Sequence, residues 1–396
     1  MAGGLPRLAA RKRPWVSLRM LDWWFEIVVT LCSLWVFVVG LGVGSFLNVV
    51  IARLPYEKSI MWPGSRCFTC LQKLRLFDNI PIIGYLRLGG KCRNCGATFS
   101  SRYLWIELIT GILFVALFWI EILSQGTNGP AFVKPWHFAP GLQFSYAGNF
   151  AMPPLVDWIY FFCHAFLISM LVSAALIDAE HQIIPAQLTY TGTIVGLIVS
   201  TVFPWPWPTM DPVTLAQIPN NLPWILPQVM VNIPNGIMPW PCWGPTPSCA
   251  PPGTWQLGLL NGFVGAAFGM GLVRGIKFLF EVGMKREALG LGDADLLMMV
   301  GAFLGWQIVL VGFFLGAFAA LLLKIPMMLY DTISGREVAS DLSFGPGLAI
   351  GVVTAWLGWP WIGKTLVLFF DPIALGLMAF AIGGGLLAAG LLLRRR

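Results

Sequence analysis

The stretch Gln307-Ile-Val-Leu-Val-Gly-Phe-Phe-Leu-Gly-Ala-Phe-Ala-Ala-Leu-Leu-Leu-Lys324 carries no charge before its last residue. A helix that crosses a bilayer needs about 20 mostly apolar residues, because the hydrocarbon core is about 30 Å thick and each residue rises about 1.5 Å. Extended to Met328, the stretch is long enough for a crossing. It therefore predicts a helix that lies in lipid.

The rest of the chain has the same character. Its 396 residues are 57% hydrophobic and only 11% charged, with a mean hydropathy of +0.76, which leaves too little polar surface to coat a soluble globule. The sequence predicts an all-α polytopic membrane protein with about eight or nine transmembrane helices. The predicted spans are 24–47, 104–123, 156–177, 188–206, 257–279, 295–306, 307–328, 345–362 and 368–393. The sixth span is too short for a full crossing unless it shares a kinked hairpin with the seventh.

The basic residues predict the orientation of the chain. The loop from Ala52 to Tyr103 holds nine lysines and arginines, whereas the segment from Pro204 to Gln256 holds none. Cytoplasmic loops are enriched in these residues, so we expect the first loop inside and the second outside. Nine crossings then place the N-terminus outside, against the five basic residues of its own segment. The net charge of +7 suits anionic lipid better than nucleic acid, so we expect lipid contact and no nucleic acid partner.

The domain boundaries follow from these composition changes. We predict an N-terminal extension (1–23), a first transmembrane helix (24–51), a cytoplasmic loop domain (52–103) and a transmembrane domain (104–396). The last contains an outer insertion (204–256) that is rich in proline and tryptophan and has no recognisable catalytic chemistry. Cys242 and Cys249 lie in this insertion, where oxidation is possible, so a disulfide between them is a hypothesis.

Four cysteines provide the loop domain with a metal-binding pattern. Cys67-x-x-Cys70 and Cys92-x-x-Cys95 are separated by 21 residues, a spacing typical of a tetrahedral four-thiolate zinc site. A loop of this length cannot bury a sufficient core unaided, and a metal would contribute folding energy. Two disulfides are the alternative, which a reducing cytoplasm disfavours. Because four protein ligands leave no open position, we expect structural zinc and no metal catalysis.

Two aspartates border predicted spans at the same membrane edge. Asp178 ends the third span and Asp293 precedes the sixth, 115 residues later, and the charge pattern places both at the cytoplasmic side. Two neighbouring carboxylates share a proton, so one can activate water while the other protonates a carbonyl oxygen or leaving group. Gly290 and Gly292 would permit close approach of a substrate chain. The pattern predicts an aspartyl endopeptidase.

Other interpretations remain open at this point. Each aspartate could instead cap a helix, with Asp293 at the N-terminus of the sixth span. A transporter could use the carboxylates as a proton relay, although the sequence indicates no broken helices that meet at mid-membrane. We expect Asp295 and Glu180 to be solvated, His181 to be a polar interfacial residue, and Glu107 to reach interfacial water.

Several motifs resemble the bacterial prepilin peptidase family, the bifunctional leader peptidases and N-methyltransferases of type IV pili and type II secretion. They are Gly44-Ser-Phe-Leu-Asn48-Val-Val-Ile-Ala-Arg53-Leu-Pro55, the four cysteines, Asp78-Asn-Ile-Pro81, Ser101-Arg-Tyr103 before Glu107, the G-x-G-D motif that ends at Asp293, and Phe344-Gly-Pro346. The chain departs from the family pattern at Asp295, where lysine is usual, and at Ala186, where an acid or amide is usual.

The resemblance implies an inner-membrane aspartic endopeptidase whose catalytic residues are Asp178 and Asp293 and whose active site faces the cytoplasm. It implies cleavage of prepilin or pseudopilin leaders, then methylation of the new N-terminus from S-adenosylmethionine. No feature of the sequence locates a methyl-donor site. A different G-x-G-D intramembrane aspartyl protease is the alternative enzyme, which the cysteine loop disfavours.

Overall fold

The computed structural model describes residues 15–123, 155–202, 249–250, 255–284, 290–334, 343–358, 362 and 372–393. Most of the predicted outer insertion lies outside these ranges, and so does Cys242, together with the hypothesis that it pairs with Cys249. The described helices are α1 (Trp15–Arg53), α2 (Ile83–Leu88), α3 (Arg102–Phe118), α4 (Leu155–His181), α5 (Ala186–Val202), α6 (Trp255–Met284), α7 (Leu291–Ile333), α8 (Gly345–Leu357) and α9 (Pro372–Leu393). The short turns are 3₁₀-helices at Leu54–Tyr56 and Leu76–Asp78, and a π-helix at Trp119–Leu123 follows α3.

The prediction of an all-α membrane protein is confirmed. Among the described residues, four stretches are long and apolar enough to cross a membrane: Glu26–Tyr56, Phe161–His181, Trp255–Gly283 and Leu291–Ile333. The helices α5 and α8 are shorter but also apolar. The first helix extends beyond the predicted span at both ends, because no proline or glycine-rich break separates the polar start from the apolar run.

The longest helix, α7, covers the sixth and seventh predicted spans and is kinked between them. Gly305 interrupts it with φ 79° and ψ 171°, a conformation open to glycine because it has no Cβ. We call residues 291–304 the first arm and residues 306–333 the second arm. A Cβ added at Gly316 of the second arm would lie 2.8 Å from the Cα of Leu348, so this arm runs beside α8.

The helices approach one another at glycines. A Cβ added at Gly40 of α1 would lie 2.8 Å from the Cα of Gly111 in α3, and one at Gly44 would lie 2.7 Å from the Cα of Glu107. In α6, an added Cβ at Gly265 would overlap the carbonyl oxygen of Gly301 in the first arm. Lipid offers no hydrophobic drive for helix association, so such close backbone packing is the main source of cohesion between the helices.

The turn between α4 and α5 positions one aspartate. Proline disfavours helical geometry in the residue before it, and Pro185 ends the irregular turn that follows His181. Gln182 adopts φ 54° in this turn, and the carbonyl of Pro185 accepts the first bond of α5 from the Leu188 N–H at 3.0 Å. Asp178 therefore lies in the last turn of α4, where the chain reverses.

The glycine contact between α6 and the first arm predicts the effect of adding one methyl group. Gly265→Ala should lower the free energy of unfolding by about 1–3 kcal/mol, because the new Cβ overlaps backbone that cannot rotate away. Thermal unfolding of the detergent-solubilised chain measures it. Gly271→Ala is the matched control on the same helix, since no atom lies within 4 Å of its added Cβ. Equal melting temperatures for the two variants would contradict this account of the packing.

Candidate active site and metal centre

Asp178 is held by donors from the start of α8. The Ser343 hydroxyl and the Gly345 N–H each donate a hydrogen bond to its Oδ2 at 2.7 Å. The residue is only 7% exposed, and a carboxylate removed from water needs such donors. A Cβ at Gly345 would lie 2.7 Å from the same oxygen, so a side chain there would displace the carboxylate.

Asp293 lies in the first turn of α7 and is also 7% exposed. Gly290 is the N-cap of this helix in extended backbone geometry, and its N–H donates to the Asp293 carboxylate. This is the returning half of a capping box, in which the third helical residue bonds back to the N-cap. Asp293 therefore supports its own helix end, as the capping interpretation predicts, but its position relative to Asp178 goes beyond capping.

The two aspartates meet although 115 residues separate them in sequence. Asp293 lies within electrostatic range of the Asp178 carboxylate. A Cβ added at Gly292 would lie 2.8 Å from the Cβ of Ile184, so the turn after Asp178 packs directly on the turn before Asp293. We call this junction of α4, α7 and α8 the aspartate edge.

One of the two neighbouring acids, Asp295, is less exposed than the sequence suggests. Asp295 was expected to be solvated but is 9% exposed, and its Oδ1 lies 3.8 Å from the Arg274 guanidinium of α6. Arg274 thus places a positive charge beside Asp295, the position at which lysine is usual in the family that the motifs resemble. Glu180 is paired with Arg102, and His181 contacts the Tyr56 ring edge-on at 5.5 Å. The expectation that Asp295 is solvated is therefore wrong, and that for His181 is consistent with the structure.

Four cysteine sulfurs converge in the loop domain. The Sγ atoms of Cys67, Cys70, Cys92 and Cys95 lie within 4.8 Å of one another, with Cys67–Cys95 at 3.7 Å and Cys70–Cys92 at 3.9 Å. A regular zinc tetrahedron with bonds of about 2.3 Å has sulfur–sulfur edges of about 3.8 Å. The donor set and its spacing fit a structural metal site, consistent with zinc.

The loop around each cysteine pair favours metal binding over disulfides. Each pair lies in a small hairpin, closed by the Cys67 N–H to Gln72 at 3.0 Å and by the Cys92 N–H to Ala97 at 2.8 Å. The Cys70 N–H, and then the Thr69 N–H, lowers the pKa of the Cys67 thiol to about 6. In Cys95 the Ala97 N–H lowers the pKa, but burial and the neighbouring thiols together raise the pKa to about 11. Thiolates are the form that binds a metal, and all four cysteines are free of disulfides.

Sequence reasoning misjudged two polar residues. Ser343 carried no signal of its own, although Phe344-Gly345-Pro346 follows it. Glu107 was expected to reach interfacial water, but it is 8% exposed and its Oε2 accepts the Ile82 N–H at 2.7 Å. That expectation is wrong, because the loop domain folds over the end of α3 and covers the carboxylate.

We predict one zinc ion per chain, bound by the four cysteines. Cys92→Ser should remove the metal and lower the melting temperature of the loop domain, because the loop has no other sufficient source of folding energy. Metal analysis of the purified chain, followed by thermal unfolding, measures both effects. Cys32→Ser is the control, since Cys32 packs in the membrane core, far from the cluster in the fold. A variant with full zinc content would contradict the four-ligand site.

Comparison with known proteins gives two family matches. A family model described as the bacterial peptidase A24 N-terminal domain matches residues 38–120. A second, described as the type IV leader peptidase family, matches residues 165–325. The first range contains the four cysteines and the second contains both aspartates. No solved structure matches the chain.

Curated relatives have names that agree with these family matches. A prepilin leader peptidase/N-methyltransferase of Myxococcus xanthus is 29% identical over 82% of this chain and 72% of its own length. One from Pseudomonas aeruginosa is 26% identical over 85% of this chain and 91% of its own, and one from Klebsiella pneumoniae is 28% identical over 68% and 84%. The two matched domains and these relatives show that the chain belongs to the type IV leader peptidase family.

Proposed function

We propose that this chain is a membrane aspartic endopeptidase that removes the leader of type IV prepilins or pseudopilins and then methylates the new N-terminus. The observation that supports it most is the meeting of Asp178 and Asp293 at the aspartate edge, where two hydrogen-bond donors contact Asp178. The curated relatives, which are named for both activities, support the pairing of cleavage with methylation.

The mechanism needs one water molecule between the two carboxyl groups. One carboxylate takes a proton from this water as it attacks the scissile carbonyl carbon, and the other, protonated, donates to the carbonyl oxygen. The resulting diol collapses when a proton reaches the leaving nitrogen. The Ser343 hydroxyl and Gly345 N–H bind Asp178 Oδ2 and so hold this carboxylate in one orientation throughout.

The location of the aspartate edge suits a substrate that is itself anchored in lipid. A prepilin with an apolar N-terminal helix would present its leader junction where the bilayer meets water. Asp178 at the end of α4 and Asp293 at the start of α7 lie at such helix ends. We place this edge on the cytoplasmic side of the inner membrane, because the basic loop from Ala52 to Tyr103 lies at the same ends of the helices.

We assign the methylation step to the loop domain, which contacts the end of α4. S-adenosylmethionine, when bound, supplies an electrophilic methyl group on a positively charged sulfur. The chain would have to bind this donor and bring its methyl group to the new amine. The Arg102–Glu180 ion pair and the Tyr56–His181 ring contact join the loop domain to the end of α4. The four-cysteine metal site would stabilise the loop that these contacts hold in place.

A proton-coupled transporter fits the structure less well. The sequence predicts a kink between the sixth and seventh spans but no broken helices that meet at mid-membrane, and α7 is kinked at Gly305. However, Gly305 lies 12 residues beyond Asp293, about 18 Å along the arm, so the break is remote from the carboxylates. A relay would need acids at the break. Within α7, the acid nearest to Gly305 is Asp295, about three turns before it.

We predict that Asp178→Asn and Asp293→Asn, made separately, each abolish cleavage of a prepilin substrate. An amide can neither take a proton from water nor donate one to the carbonyl, so kcat should fall by at least about three orders of magnitude. A gel-shift assay with purified chain and substrate in detergent measures the loss. Asp331→Asn, at the far end of α7, is the matched control and should cleave normally. Substantial cleavage by either active-site variant would exclude the two-carboxylate mechanism.

The donors to Asp178 give a second, graded prediction. Ser343→Ala removes one of the two hydrogen bonds to Oδ2 while Gly345 keeps the other. A hydrogen bond to a charged group contributes about 1.5–3 kcal/mol, so we expect kcat to fall roughly tenfold or more with little change in KM. Ser343→Thr retains the hydroxyl and should restore most of the rate. Equal rates for the alanine variant and the parent would show that Ser343 does not orient Asp178.

A further inference from the structure

A cavity of about 540 Å³ lies between α1, α3 and the loop domain. Its walls come from the end of α1, the start of α3 and the loop segments around Asp78 and Cys67. This volume falls within the range of about 300–1,000 Å³ that small-molecule sites occupy. The proposed peptidase chemistry uses none of these walls, so the cavity requires another explanation.

The buried part of the cavity contains two polar side chains. Asn48 is 4% exposed; its Nδ2 donates to the Tyr103 carbonyl at 3.1 Å, while its Oδ1 has no partner. Glu107, 8% exposed, accepts from the Ile82 N–H at 2.7 Å and from the Ser45 side chain. Within the described residues Glu107 forms no ion pair. An unpartnered acceptor and an unpaired acid inside a cavity are costly unless a ligand completes them.

The remaining walls are aromatic and basic. Tyr85, Phe99 and Tyr103 supply rings, and Arg53, Lys58 and Arg66 line the same cavity. Lys58 and Arg66 are exposed, whereas Glu107 and Asn48 are buried. The cavity therefore combines a buried acid, aromatic faces and a basic rim.

We propose that this cavity binds S-adenosylmethionine, the methyl donor, with Glu107 and Asn48 as its polar contacts. This inference rests on the proposed function, which requires such a donor without locating it. The donor is an amphiphilic cation with a flat base, a sulfonium and a carboxylate. Glu107 matches the positive charge, the Asn48 oxygen accepts from an N–H or O–H, the rings stack on the base, and the basic rim pairs with the carboxylate.

The position of the cavity suits a second reaction after cleavage. Tyr103 lines it, and the adjacent Arg102 pairs with Glu180, two residues beyond Asp178. In the transfer, the lone pair of the new α-amine attacks the methyl carbon, and the carbon–sulfur bond breaks with its electrons staying on sulfur. The amine loses one proton to water, and the donor leaves as neutral-sulfur S-adenosylhomocysteine. Both reactions then use one edge of the bundle, and the processed chain need not cross the membrane.

The test is equilibrium binding to the full-length, zinc-loaded chain in detergent. Radiolabelled S-adenosylmethionine and S-adenosylhomocysteine are the two probes, measured for the parent, Glu107→Gln and Asn48→Ala. We expect Glu107→Gln to weaken the binding of S-adenosylmethionine at least about tenfold, because a charge-assisted contact is lost. The binding of S-adenosylhomocysteine, which lacks the sulfonium, should weaken less. A purely structural role of Glu107 would weaken both probes equally.

Two further measurements make the result decisive. Glu57→Gln replaces an exposed acid that does not line the cavity and should bind both probes like the parent. Zinc content and melting temperature of each variant show whether the loop domain has folded. Glutamine retains an oxygen that can accept the Ile82 N–H, so Glu107→Gln preserves the local contact while removing the charge.

The outcomes separate this inference from the proposed function. If the parent binds the donor and folded Glu107→Gln and Asn48→Ala bind it with parental affinity, the donor site lies elsewhere and this inference fails, while the function stands. If the parent cleaves prepilin but neither binds the donor nor methylates, the methyltransferase part of the function fails as well. A loss of affinity in Glu107→Gln that is selective for S-adenosylmethionine supports the cavity as the donor site.

Discussion

Close contact between helix backbones at glycine determines where the two aspartates of this chain lie. Gly265 of α6 meets Gly301 of the first arm, and Gly316 of the second arm meets Leu348 of α8. A larger side chain at either contact would separate helices that lipid cannot push back together. These two contacts fix both arms of α7. The first arm carries Asp293, and the second holds α8, whose first residue donates to Asp178.

The site that results places two acids where the bundle can support them. A carboxylate deep in an apolar bundle would be costly, and one in open water would ionise freely and lose its partner. Asp178 and Asp293 lie at helix ends, nearly buried but within reach of backbone and hydroxyl donors. Helix N-termini, here those of α7 and α8, suit this compromise because their first N–H groups have no intrahelical partners. The same geometry places both acids at the level where an anchored substrate meets water.

The loop domain depends on a different source of stability. It has too few residues for a core of its own, and its described regular structure is limited to one short helix, 3₁₀ turns and isolated bridges. The sulfur tetrahedron and the contacts of Glu107, Arg102 and Tyr56 hold it against the bundle. This arrangement leaves a cavity lined by both parts of the chain. A loop that rested on the metal alone would enclose no such space.

The sequence by itself determined the membrane class, the approximate helices, the kink in α7 and the cluster of four cysteines, and it predicted the two aspartates as the site. Apolar run length, cysteine spacing and the positions of charges report these features directly, since each depends on residues that are close in the chain. Only the tertiary structure decided that Asp178 bonds to Ser343 and Gly345, that Asp295 faces Arg274, and that Glu107 is covered. Those contacts join segments far apart in sequence, and they exist because particular glycines let particular helices approach. The local sequence pattern does not specify which distant helix backbone will pack against a given segment.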